Sequence, residues 1–380
     1  MIDAWTTRNG HPIIHSLARY PFVHQLENIC TRTTELSGSP GASGQTSAGG
    51  DARLWVEDGL PPEPVSRFSR VLAQEEFHAE LERLSLSQWH WGSPQEVSVK
   101  ALKAHKDRCT FDVEVKTETG RHNVIAKVHS LDRPDVFEAM RAVVNSGFGP
   151  EAEFAIPRPL EYLPSLHVLF EEKVQGTRAM DIFLRGDLDE QVPTARRCAA
   201  WLARFHTAAP RLSDMSRLNR FPATIQWWAE EVRAYGEPFT SKVELLLRKL
   251  KAAMPASDAI DPCLGHGSYI PEHVFLDGKR TITIDLDEHG TTDPAQDVAW
   301  FVVSLQRLGL KQMGSIGVHD RAVEGFLEAY VAMSDLDALR HLQFFKAAEF
   351  LHRVHRDLYG RITPIPEWAE IMLDEGIRAV

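Results

Sequence analysis

The chain reads as an α+β protein of two lobes, a small antiparallel-sheet lobe followed by a mainly helical one. Three observations predict this. Between residues 97 and 130 three stretches rich in β-branched residues, VSVKALKA, RCTFDVEVKT and HNVIAKVHS, are divided by the turn-prone AHKD and ETGR. Further along, the apolar spacing changes to a helical period in TARRCAAWLARFHTAA and SKVELLLRKLKAAM and stays mainly helical to Leu358. No internal repeat separates these regions, so they read as one bilobal unit rather than an array.

Size and composition are compatible with that reading. The 380 residues are 43% hydrophobic and 25% charged, enough for an ample core without disulfide or metal staples. Cys30, Cys109, Cys198 and Cys263 are scattered, with no pair at metal-knuckle or redox spacing, which predicts free thiols. No apolar stretch approaches the ~20 residues of a bilayer span, so no membrane partner and a cytoplasmic location are expected. A formal charge of −11 opposes attraction to polyanions, and no nucleic-acid partner is predicted.

In chain order, residues 1–36 form an N-terminal extension whose Trp5, Ile13, Ile14, Leu17, Phe22, Val23 and Leu26 suit a short docking helix, a possible contact for a protein partner. Residues 37–51, SGSPGASGQTSAGGD, are too small and polar to offset their ordering entropy and read as a flexible linker. Phe68, Val71, Leu72, Phe77, Leu81 and Leu84 recur near a helical period over 65–84, a leading helix. With the three strands it belongs to a first lobe over 52–173. A helix is expected from Asp135 to Ser146, opened at Pro134-Asp135 and closed near Gly147, and SLHVLFEEKVQG reads as two further strand-like stretches. The second lobe, 174–380, carries the helices.

The densest constellation runs from His266 to Asp297. An apolar strand, Thr281 to Ile284, delivers Asp285 and Asp287 into a turn beside a second strand, Val274 to Leu276, that follows the His266 to His273 loop. Carboxylates one residue apart at a strand end either coordinate a hard cation such as Mg²⁺ or cap a turn.

The order of these pieces resembles the aminoglycoside phosphotransferase and choline kinase-like family, whose signature is H-G-D, an Asn five residues on, a strand ending I-D-F, and D-P-A-x-D. Here stand His266-Gly267-Ser268, His273, Ile284-Asp285-Leu286 and Asp293-Pro294-Ala295-Gln296-Asp297. The resemblance implies a protein-kinase-like fold, with ATP and Mg²⁺ (or Mn²⁺) as cofactors and a hydroxyl of a small molecule as acceptor. It implies that Lys127, in VIAKV, contacts the α- and β-phosphates and that Glu138 on the following helix pairs with it. It also implies that hinge backbone from Glu171 and Glu172 to Val174 meets the base, and that Asp285 binds metal, with Asp287 as a second carboxylate. Lys106 and Arg108 of the lid loop AHKDR either contact phosphate or are turn surface.

Two positions depart from the family. Its catalytic aspartate corresponds to Ser268, which cannot act as a base unaided. Its metal-binding asparagine corresponds to His273, a softer nitrogen ligand poorly suited to Mg²⁺. Asp293 and Asp297 are expected to hold the preceding loop through backbone N–H groups. The expected activity is therefore an ATP-dependent phosphotransferase slowed by the loss of a base. The alternative is a nucleotide-binding scaffold or biosynthetic partner without phosphotransfer. The Trp227-Trp228 pair beside Glu230-Glu231 fits either a cation-binding wall or ordinary packing.

Overall fold

The computed structural model describes residues 52–56, 62–211, 214, 216–256, 259–334, 336–360 and 364–380. The extension 1–36 and the linker 37–51 lie outside the described residues.

The first lobe contains β1 (Ala52–Val56), α1 (Pro62–Leu72), α2 (Glu75–Ser87), β2 (Glu96–Ala104), β3 (Arg108–Thr117), β4 (Gly120–His129), α3 (Pro134–Val143), β5 (Phe154–Ala155), β6 (Pro159–Leu163) and β7 (Val168–Glu172). One sheet runs β1-β2-β3-β4-β7-β6, antiparallel except for the parallel β1–β2 pair. Period-2 alternation explains its two faces. Val97, Val99, Phe111, Val113, Val115, Val124 and Ala126 turn to one side and pack against Phe68, Leu72, Phe77, Leu81 and Leu84 of α1 and α2. The intervening positions of β4 and β7, among them Lys127 and Glu171, therefore turn toward the second lobe. The leading helix expected as one piece is two, broken at residues 73–74, so that both halves lay their apolar faces on the sheet. Of the strand-like stretches expected in SLHVLFEEKVQG, only β7 forms there, and its hairpin partner β6 lies upstream.

The second lobe continues with β8 (Thr177–Arg178), α4 (Ala179–Arg185), α5 (Leu188–Ala208), α6 (Ser216–Ala234), α7 (Phe239–Ala253), β9 (Cys263–Gly265), β10 (Val274–Asp277), β11 (Arg280–Thr283), β12 (Gly290–Thr292), α8 (Pro294–Met313), α9 (Asp320–Met333), α10 (Leu342–Tyr359) and α11 (Pro366–Ala379). Two of its long helices, α5 and α8, start where the sequence offers an acceptor. Asp187 caps α5 by accepting from the backbone N–H of Asp189 and Glu190, and Asp293 caps α8 by accepting from Ala295 N–H, with Pro294 at the first helical position. The small sheet β5-β11-β10-β8 carries the segment that follows the His266 loop. Trp201, Phe205, Tyr269, Phe301 and Phe326 form the centre of the helical core, each fully buried. The α+β two-lobed class is thus borne out. Cys109, Cys198 and Cys263 are free and buried, and among the described residues no helix is long and apolar enough to cross a membrane.

Candidate active site

The His266–His273 loop and the Asp285 turn are pinned to each other by backbone. His266 Nε2 lies 3.0 Å from the carbonyl oxygen of Ile284, and the Ile284 N–H donates to the carbonyl of His273 at 2.9 Å. Gly267 sits at φ +85°, and a Cβ there would come within 1.9 Å of the Glu288 carbonyl oxygen, so this position requires glycine. Asp297 accepts from the backbone N–H of His266 at 2.6 Å and of Gly267 at 2.9 Å and also contacts His206 at 3.1 Å; Asp293 meets His341 at 2.6 Å. Asp297 therefore holds the preceding loop, as expected, whereas Asp293 accepts from Ala295 N–H and caps the start of α8 instead.

Asp285 adopts a left-handed backbone, φ 71° and ψ 56°, a conformation that aspartate tolerates better than most residues. The turn sends Asp285 and Asp287 toward the sheet lobe, where two buried cations meet them. Arg108 Nη2 lies 3.0 and 3.1 Å from the two Asp285 oxygens, and its Nη1 is 2.6 Å from Asp287. Lys127 Nζ is 2.8 Å from Asp287, 2.9 Å from Glu171 and 3.7 Å from Asp285. Burial opposes the Lys127 ammonium, but Asp287, Glu171 and Asp285 outweigh it and hold its pKa above the usual lysine range. Burial likewise would raise Asp285, yet Arg108 and Lys127 hold it well below the usual carboxylate range. Burial pushes the pKa of neighbouring His129 down to about 4 and that of His105 to about 3.

Several expected residues behave differently. Glu138 does not pair with Lys127: it lies 3.4 Å from Arg141 on its own exposed helix face, and Glu171 takes its place. Strand arithmetic explains the exchange. Lys127 faces Leu169 in the β4–β7 register, and Glu171, two positions on, shares that face and reaches the ammonium without crossing to α3. Glu172 is occupied within the sheet, its N–H donating to Arg158 O at 2.9 Å and its carboxylate accepting from Arg158 N–H at 3.2 Å. Lys106 is exposed at the hairpin tip, whereas Arg108, paired with it in the lid reading, is buried at the centre of the site. Trp228 is buried and stacks on His352 at 4.7 Å, and Trp227 packs on His355 at 4.8 Å, so the tryptophan pair is packing.

Ser268, His273, Asp285 and Asp287 are brought together as the sequence implies, all less than one-tenth exposed. Ser268 Oγ, His273 Nε2, Arg108 Nε and His105 Nε2 are buried and have no hydrogen-bond partner among the described residues. Such orphans are places that water, an ion or a ligand can complete. His273 Nε2 and Asp285 Oδ2 stand 3.4 Å apart, but Arg108 holds both Asp285 oxygens and, with Lys127, Asp287, so a divalent ion would have to displace these cations. No cluster of three His, Cys, Asp or Glu ligands occurs among the described residues, so the remaining ligands of an ion would come from phosphate and water.

Beside Asp287 opens a cleft of about 600 Å³ between α3, the start of α6 and the turn after Asp287. Sequence reasoning did not find its lining, which includes His129, Arg133, Glu138, Arg217, Glu288 and His289. Arg217 donates to the Gly267 carbonyl at 2.9 Å, and Arg133 to the Asp287 carbonyl at 2.8 Å. Burial raises the Glu288 carboxyl to about 7, with Arg217, Arg108 and Arg133 working against it.

Residues 108–357 match the profile of the phosphotransferase enzyme family, more than half of the chain. The chain belongs to that family of enzymes. Its fold is similar to a choline kinase from Cryptosporidium parvum Iowa II, with a TM-score of 0.52 and 11% identity over 80% of this chain and 95% of that one. An aminoglycoside 2′-phosphotransferase-IIIa variant in complex with GDP gives 0.51 at 13% identity, covering 80% and 97%. A choline/ethanolamine kinase family protein from Mesorhizobium loti gives 0.50 at 14% identity, covering 83% and 94%. A sequence search of curated proteins finds no match. At these identities the structural likeness speaks for the kinase-like fold, and the family membership for phosphotransferase chemistry.

Proposed function

We propose that this phosphotransferase moves the terminal phosphoryl group of ATP to a hydroxyl of a small molecule, slowly, because no carboxylate stands at position 268. The observation that carries the reading is Lys127 at the end of β4, reaching across the lobes to Asp287 at 2.8 Å and lying 3.7 Å from Asp285. That arrangement supports a reading in which the ammonium meets the phosphates of a nucleotide bound between the lobes and the carboxylate beside it meets the accompanying metal. Lys127 and Arg108 would exchange their carboxylate contacts for phosphate oxygens, and Asp285 with His273 would hold the divalent ion. When bound, that ion offsets the charge on the phosphates. The 600 Å³ cleft beside Asp287 is the proposed acceptor side.

Positioning and charge supply most of the acceleration in phosphoryl transfer, and a general base adds roughly 10²- to 10⁴-fold. Loss of the base therefore slows such an enzyme without abolishing it. A second reading, a nucleotide-binding scaffold, is favoured by Ser268 itself, whose hydroxyl is buried and contacts no base. The double variant Ser268→Asp/His273→Asn separates the two. Nucleotide turnover with Mg²⁺, followed by ADP release, should rise about 10²-fold if the cleft is otherwise intact. Bound nucleotide with no turnover in either form would select the scaffold.

A further inference from the structure

We infer, on the phosphotransfer reading of the interlobe site, that Arg217 is a positioning residue: it fixes residue 268 from the acceptor side by holding the carbonyl of the residue before it.

Arg217 stands in the first turn of α6, 50 positions before the loop it meets. Its Nη2 donates to the Gly267 carbonyl oxygen at 2.9 Å. The Gly267 N–H donates to Asp297 at 2.9 Å, so this one residue is held at both ends of its backbone, from α8 on one side and from α6 on the other. Ser268 follows directly, and the two bonds set where its side chain stands. The Asp297 bond alone would leave the Gly267–Ser268 peptide free to rotate, because Gly267 lies at φ +85° and glycine has several backbone wells open to it. The bond to the carbonyl removes that freedom.

Two glycines make room for the arginine. A Cβ on Gly267 would strike the Arg217 guanidinium as well as the Glu288 carbonyl, and a Cβ on Gly290 would come within 2.9 Å of Arg217 Cδ. The side chain therefore passes between the loop at Gly267 and the turn after Asp287, and it also lines the cleft beside Asp287. Both segments close on one side chain that starts from neither.

The task suits arginine. Burial pushes the Arg217 pKa down while the charges of Glu288 and Asp297 oppose the shift, so the cation is kept there at a cost. A guanidinium is planar and presents five donors in a fixed fork, so it can hold a carbonyl in a set direction and still face Glu288. An ammonium on a flexible stem fixes direction less well. Arg108 and Lys127, the cations proposed for the phosphates, come from β3 and β4 of the sheet lobe, so loss of Arg217 leaves them in place.

The test is a mutant cycle on the full chain. ADP release from ATP with Mg²⁺ is measured in the wild type and in Ser268→Asp/His273→Asn, each with and without Arg217→Met. A residue that acts through position 268 matters most when a carboxylate stands there. Arg217→Met should therefore cut turnover of the double variant by on the order of 10²-fold, the cost of misplacing a reacting group by about 1 Å, and that of the wild type by less than about threefold. ADP affinity, read by calorimetric titration, should change by less than about twofold on Arg217→Met in either background. Arg217→Lys should recover part of the turnover. Gly290→Ala, whose methyl group displaces the arginine without removing it, should give the same selective loss at smaller size, and it decides alone if Arg217→Met does not fold. Equal losses in both backgrounds, no loss in either, or turnover and ADP affinity falling together would mark Arg217 as general support of the fold and overturn the inference. Bound nucleotide without turnover in either background overturns the phosphotransfer reading and the inference with it.

Discussion

Two pairs of aspartates, Asp285/Asp287 and Asp293/Asp297, lie within thirteen residues of one another in the same chain segment and are all buried, yet the structure uses them differently. Asp293 and Asp297 accept from backbone N–H groups, at 2.9 Å from Ala295 and at 2.6 and 2.9 Å from His266 and Gly267. Asp285 and Asp287 instead face side-chain cations that come from the other lobe, Arg108 and Lys127. A carboxylate bonded to its own backbone is committed to holding a loop. One that meets only side-chain cations across a cleft can release them to a ligand.

The sharpest way to break this comparison is to remove one member of each pair. Asp297→Ala strands two buried backbone donors, each worth about 1.5–3 kcal/mol when the acceptor is charged, so a stability loss of about 3–6 kcal/mol is expected. Asp285→Asn removes one of three carboxylates, Asp285, Asp287 and Glu171, that share the cations Arg108 and Lys127, and leaves the charges balanced. Its stability cost should be about 1 kcal/mol or less, with metal-dependent nucleotide binding lost. Urea unfolding and calorimetric titration of both variants check this, and equal stability losses would dissolve the distinction.

Arg108→Met should follow in size. It leaves Asp285 and Asp287 with Lys127 alone, and breaking a buried pair from one side costs about 3–5 kcal/mol. A divalent ion can replace the missing charge. Millimolar Mn²⁺ should therefore raise the thermal midpoint of Arg108→Met by more than that of the wild type. An equal response would mean that the guanidinium and the ion do not compete for the aspartates.

A smaller effect is expected at Lys127. Lys127→Ala should weaken ADP binding by about 1–3 kcal/mol, the range for charge-assisted contacts, read by calorimetric titration. Glu171→Gln should weaken it in the same direction, because Glu171 lies 2.9 Å from the ammonium. Glu138→Gln should leave it unchanged, because among the described residues Glu138 pairs with Arg141 and not with Lys127. A loss at Glu138 and none at Glu171 would restore the helix-borne partner implied by the family resemblance.

What could be read from the sequence follows from how local each signal is. Strand alternation in VSVKALKA and RCTFDVEVKT, the AHKD and ETGR turns and the helical periods of α5 and α7 are short-range and carry to the fold. The order of His266, Ser268, His273, Asp285 and Asp297 carries the site because one loop, one hairpin and the first turn of α8 hold all five. The partner of Lys127 was missed because family order points to the helix after the strand. The β4–β7 register, which places Glu171 beside the lysine, exists only once the strands pair. The same holds for Arg108 with Asp285, 177 positions apart, and for Arg217 with Gly267, 50 positions apart. No periodicity brings such residues together. The break between α1 and α2 at residues 73–74 has no turn residue to announce it; the need to lay two helix faces on one twisted sheet accounts for it.

The smallest effect belongs to Glu288, which borders the acceptor-side cleft next to the committed Asp287. Burial raises its folded-state pKa from the ordinary glutamate value of 4.5 to about 7, and Arg217, Arg108 and Arg133 only partly oppose the shift. A carboxyl raised on folding contributes stability that is fully present below about pH 4.5 and is lost as pH rises through about 7. Glu288→Gln cannot ionise. Its stability relative to the wild type should therefore climb between pH 4.5 and 7 and level off above, by no more than about 1 kcal/mol because solvent in the cleft screens the charge. His129, held down to about 4, acts with the opposite sign and destabilises the fold as pH falls from 6.5. It does so equally in both proteins, so the difference between their urea midpoints isolates Glu288. A difference that stays flat from pH 4.5 to 8 would show an ordinary glutamate, and the cleft beside Asp287 would then be a fully hydrated groove.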